Sequence, residues 1–130
     1  INDDSQSNIK LCANGGIVSI GTVTPIITDS YKLYVRGGIR TEAIKVDIAY
    51  QNNWADYVFQ KNYKLISIKD LELYINRNKH LPNIPSAGEA VKNGIDLLEM
   101  QSKLLAKIEE LTLYIIEQDK RIKKLEEKSK

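Results

Sequence analysis

Apolar residues in the last third of the chain recur at alternating steps of three and four: Leu97, Leu104, Ile108, Leu111, Ile115, Ile122 and Leu125, with Gln101 and Gln118 filling the gaps in the series. A period of about 3.5 residues is a heptad seam on a helix. With Ile108, Ile115 and Ile122 at position a, Leu104, Leu111 and Leu125 fall at d, Gln101 at a and Gln118 at d. One helix cannot bury such a stripe in water, so the pattern predicts a helix from about Asp96 to Glu127 that associates with other chains. Arg121 at g and Glu126 at the following e can bridge parallel neighbours. Ile at a with Leu at d suits two strands. Leu98 and Leu105 at e and Met100 at g widen the apolar face, which suits more helices or a preceding domain. Dimer and trimer both stay open.

Upstream the period changes. Residues 1–16 are polar and read as a loop, and Ile17–Ile20 is a short β segment closed by Gly21 and Thr22. Pro25 and Thr28–Ser30 mark a turn. Tyr31–Arg36 and Ile39–Ile48 flank Gly37–Gly38, which predicts a β-hairpin. Ile44, Val46 and Ile48 alternate with Lys45 and Asp47 as in a half-buried strand. Trp54, Tyr57, Val58 and Phe59 form the densest aromatic cluster and, with Leu71 and Ile75, the expected core of a small middle domain. Ser67 is a candidate N-cap for a helix carrying Ile68, Leu71 and Ile75 that frays near residues 76–78. His80–Pro85 reads as an extended connector, and Ser86 with Glu89 as a capping box opening a turn of helix to about Val91, closed by Asn93–Gly94. Asp96 is placed to cap the long helix.

This predicts an α+β chain in three parts: a β-rich segment over 1–48, a small mixed domain over 49–94 and a coiled-coil helix over 95–130. Neither of the first two is large enough to bury much surface alone, so both are expected to lean on the oligomer. The 19 basic and 17 acidic residues leave a charge of +2, no argument for nucleic acid or an anionic membrane. No apolar run nears the ~18 residues a bilayer span needs, so no membrane insertion is expected. The chain opens Ile-Asn-Asp-Asp-Ser, with no initiator Met and no secretory signal, and reads as a piece of a longer protein.

Chemistry is sparse. The single Cys12 allows no internal disulfide, and the single His80 no multi-histidine zinc site. Neither Gly15–Gly16 nor Gly37–Gly38 leads into a helix with the Lys and Ser/Thr of a phosphate loop. Glu109–Glu110 reads as a solvated face, and the Lys-rich end, interleaved with Glu126 and Glu127, as the outside of a coil. No catalytic, metal or cofactor residues are assigned, and no enzyme is expected.

Several of these stretches together resemble one family. Gly16–Thr22 followed by Tyr31–Arg40, then Ile44–Val46, Trp54–Phe59, His80–Ser86, Gly94–Leu97 and Leu111–Gln118 resemble the C-terminal domain of tail-fibre-like proteins of Bacteroidetes bacteria and their phages. In architecture that domain is similar to the intramolecular chaperone of endosialidases and phage tail spikes. The resemblance implies a homotrimer with intertwined, fibre-like β segments and a helical bundle, located on a virion tail fibre or cell-surface fibre. Its implied partners are its own copies, the rest of the fibre or a baseplate, and a host receptor. The implied role is structural: trimerisation that registers and folds the fibre. An alternative is a receptor-binding tip in which Tyr50, Trp54 or Tyr63 contacts a host glycan or protein. Some members cleave themselves with a Ser-Asp pair, but the matching stretch Lys45–Ala49 has Asp47 and no Ser before it, which makes a self-cleaving chaperone peptidase the weakest of the three readings.

Overall fold

The computed structural model describes residues 16–21, 30–48 and 54–129. Cys12, the Pro25 turn and Tyr50 lie outside them. The architecture is α+β: a two-stranded parallel sheet and three helices, the last of them long. The chain divides into two compact units, residues 1–45 and 46–130.

In the first unit β1 (Val18–Ile20) pairs in parallel with β2 (Leu33–Val35), Val18 opposite Leu33 and Ile20 opposite Val35. The Val18 N–H donates to the Lys32 carbonyl and the Arg36 N–H to the Ile20 carbonyl, both at 2.9 Å. Gly21 closes β1 with a φ of +79°, and a Cβ there would stand 3.1 Å from the Arg36 carbonyl oxygen. Only glycine fits without a shift.

The hairpin expected around Gly37–Gly38 does not form. β2 takes β1 as its ladder partner, and residues 39–48 contain no strand and are exposed, including Ile44, Val46 and Ile48. The physical reason lies in the connections. The stretch from 21 to 32 is long enough for the return that parallel pairing requires, about a dozen residues. Gly37, at a φ of +101°, then turns the chain out of β2.

In the second unit a 3-10 turn at Tyr57–Phe59 is followed by α1 (Ile68–Asn78), α2 (Ala87–Asn93) and α3 (Leu97–Lys128). Each helix begins where its cap predicts. The Ser67 hydroxyl accepts the Asp70 N–H at 3.1 Å, and the Asp96 carboxylate accepts the Glu99 N–H at 2.8 Å. At α2 the capping box closes reciprocally, Ser86 Oγ accepting the Glu89 N–H and the Glu89 carboxylate accepting the Ser86 N–H. The Ser86 hydroxyl also donates to Glu89 Oε2 at 2.7 Å, and this bond, followed by that from the Ser86 N–H, holds the Glu89 carboxyl below its ordinary pKa. α1 persists through Asn78, whose amide donates to the Tyr74 carbonyl, and stops where Lys79 turns left-handed at a φ of +62°. α2 runs two residues past Val91 to Asn93.

The core is small. Ala55 and Val58 pack on Ala106 of α3, with Tyr63, Leu105 and Leu113 around them. Of the six residues expected in a middle-domain core, Val58 is buried and Leu71 partly so, while Trp54, Tyr57, Phe59 and Ile75 are exposed. A 3-10 turn has three residues per turn, so Tyr57, Val58 and Phe59 point in three directions and Val58 alone is buried. Because that core takes Ala106 from the helix, residues 54–94 and α3 form one unit where the sequence suggests two.

Candidate oligomerisation surface

α3 carries two stripes. On the heptad wheel the face that packs against its own chain is Ser102 at b, Ala106 at f, Glu109 at b, Glu110 at c, Leu113 at f and Tyr114 at g. All but Leu113 are buried. These are spaced by three and four residues and centre on f, across the helix from the a/d seam. Ala106 is small enough to let the backbone of the 3-10 turn come close, which is what buries Ala55 and Val58.

The packed face is fastened by polar contacts. The Tyr63 hydroxyl donates to Glu110 Oε1 at 2.5 Å, and Lys107 Nζ lies 2.8 Å from both oxygens of the same carboxylate. The Tyr114 hydroxyl donates to the Ile66 carbonyl at 2.6 Å, tying the stretch before α1 to α3. Glu109 Oε1 accepts the Asp56 N–H at 3.4 Å, where Asp56 turns left-handed (φ 54°) into the 3-10 turn. Glu109 Oε2 is buried with no hydrogen-bond partner among the described residues. Burial, and secondarily the Asp56 carboxylate, raises the Glu109 pKa above the usual range. Burial also raises both tyrosines, Tyr63 with the Glu110 hydrogen bond and charge added, and Tyr114 with the charges of Glu110 and Glu117 added. In each case burial disfavours the charged form of the group.

Glu109 and Glu110 therefore correct the expectation of a solvated face: they are 6% and 8% exposed. The signal that could have found them is the second stripe, Ser102, Ala106, Glu109 and Leu113 at helical spacing, with small residues at two of its four positions.

The seam presents the opposite picture. Leu97, Gln101, Leu104, Ile108, Leu111, Ile115, Gln118, Ile122 and Leu125 are all exposed, Ile115 and Leu125 by about two-thirds. No described residue of their own chain buries them.

Of the candidate receptor contacts, Tyr50 is outside the described residues. Trp54 is exposed. Tyr63 is partly buried, its hydroxyl engaged by Glu110 and its ring 5.8 Å from that of Tyr57. His80 packs edge-on to Tyr74 at 5.8 Å, its Nδ1 3.0 Å from the Leu81 carbonyl oxygen. Among the described residues no group of three or more His, Cys, Asp or Glu side chains is arranged to hold a metal ion, and no helix is long and apolar enough to cross a membrane. Compared with family models, curated proteins and solved structures, the chain matches none of them.

Proposed function

We propose that this chain is a homotrimeric assembly module of a tail-fibre-like protein, in which α3 forms a parallel three-stranded coil that holds three copies in register. The observation that carries the reading is the exposure of all nine seam residues on a helix whose opposite face already serves its own chain. Seven of them are aliphatic, and covering a Leu or Ile contributes about 1.5–3 kcal/mol, so the seam holds roughly 10–20 kcal/mol per chain of association energy before the costs of binding.

The rest of the chain fits a module that depends on its copies. A pair of three-residue strands is marginal by itself in water. Local helical contacts form quickly, whereas β pairing between distant or separate segments is slow. A coil that first joins three chains lowers the entropic cost of aligning such strands. On this reading the module works on a virion or cell-surface fibre, with the rest of the fibre or a baseplate as its further partner.

The test is the mass in solution. Light scattering should give three times the 14.8 kDa of the chain, and Ile108→Asp with Ile115→Asp should give a single chain. A double variant that keeps the trimeric mass overturns the reading. The exposed side chains of Trp54 and Tyr57 support a second reading, a receptor-binding tip. Binding of the fragment to host-surface glycans, lost in Trp54→Ala with the mass unchanged, would favour it.

A further inference from the structure

Beside the seam, an open groove of about 690 Å³ runs between the start of α1 and the middle of α3, lined in part by Ile66, Ile68, Lys69, Tyr114, Glu117 and Arg121. Its α3 wall centres on position g, held by Tyr114 and Arg121.

Helix geometry determines which neighbour can reach it. Successive residues advance about 100° around the axis. In a two-stranded coil the partner faces the middle of the seam, about 90° around from g. In a three-stranded coil each helix has one neighbour shifted towards its g flank, about 60° from g. With packed helix axes about 10 Å apart, an element seated over g stands about 10 Å from that neighbour but about 14 Å from a single partner. The first distance is helix packing and the second is a gap.

A parallel, in-register neighbour meets a g flank with its own e flank, and beyond e lies b. At the level of the groove those positions are Asp119 at e and Ile116 at b. Ile116 is 45% exposed, and nothing in the heptad pattern accounts for an aliphatic residue at b. It lies about 140° around α3 from g, so its own chain's groove cannot reach it. Asp119 is paired in its own chain with Lys123, across exposed side chains.

We propose that α3 of a neighbouring copy completes this groove, with its Ile116 against Ile66 and Ile68 and its Asp119 facing Lys69 and Arg121. The inference rests on the trimeric reading and adds that the 65–72 stretch is a contact between copies, one that a dimer cannot make.

Hydrogen exchange on the full chain tests it, followed at the amides of residues 65–72 alongside light scattering. Ile116→Glu should keep the trimeric mass and speed exchange there at least tenfold, whereas Ile116→Val should match the parent. Asp119→Lys, at an exposed site outside the chain's own core, should speed the same amides several-fold. Trimers of both charged variants with unaltered exchange at 65–72 overturn the proposal. A parent mass other than three chains overturns the trimeric reading itself, a separate result.

Discussion

The two faces of α3 invert a common intuition. The face that its own chain uses buries a serine, an alanine, two glutamates and a tyrosine, with Leu113 partly covered among them, whereas the face left open is almost wholly leucine and isoleucine. Hydrophobicity alone would assign them the other way round. The difference is one of complement. Residues 54–66 supply a short turn, the Tyr63 hydroxyl, the Ile66 carbonyl and two small buried side chains, which match small residues and polar partners rather than a broad aliphatic stripe. A long aliphatic seam needs an equally long partner, and nothing else in the described chain approaches the 32 residues of α3.

That comparison can be broken most forcefully from the seam side. Ile108→Asp with Ile115→Asp removes association altogether and, with it, most of the thermal stability. The same pair should leave the Tyr63–Glu110 contact intact, which tyrosine fluorescence and amide exchange in 54–63 would report.

The packed side breaks differently. Ala106→Leu inserts bulk where the 3-10 turn must come close, at a cost of about 1–3 kcal/mol. Its expected signature is loosened exchange at 54–60 with the oligomeric mass unchanged, the mirror image of the seam variant. Tyr63→Phe is milder. Glu110 keeps Lys107 as partner, so the loss is about 1 kcal/mol, read as a lowered melting temperature.

The smallest expected effect is one of pH. Glu109 has a raised pKa in the fold, so folding favours its protonated form. Its contribution is fully present below the unfolded carboxylate pKa and declines as pH rises through the higher folded value. Glu109→Gln keeps an acceptor for the Asp56 N–H and cannot ionise. Stability measured against pH should therefore lose that downward slope, and the variant should be the more stable at neutral pH. A parent whose stability rises across the same window would contradict the burial of this carboxylate.

Legibility in the sequence followed the same division. Caps and the long helix could be read because their determinants are local: Ser67, Ser86 and Asp96 each bond a backbone N–H three residues on, and a heptad is a simple helical period. Strand partners could not, because Gly37–Gly38 carries the composition of a hairpin turn while the partner of β2 lies on the far side of a long connection. The aromatic cluster misled for a third reason. Counting Trp54, Tyr57 and Phe59 as core ignores that consecutive residues of a tight turn diverge, so Ala55 and Val58 go inward instead. The second stripe on α3 marks the position of Glu109 and Glu110, but a carboxylate in sequence carries no sign of the tyrosine or backbone amide that will meet it.

Burial in α3 also has an end point. Beyond Tyr114 every described residue of the helix is exposed, leaving about four turns with no interior of their own. A free-standing helix of that length is marginal in water, since its nucleation cost is barely recovered by so few added hydrogen bonds. Under the trimeric reading the far half of α3 is a stretch whose order is borrowed: its shape in a lone chain would be an equilibrium between helix and coil, and its persistence a function of how many chains are present.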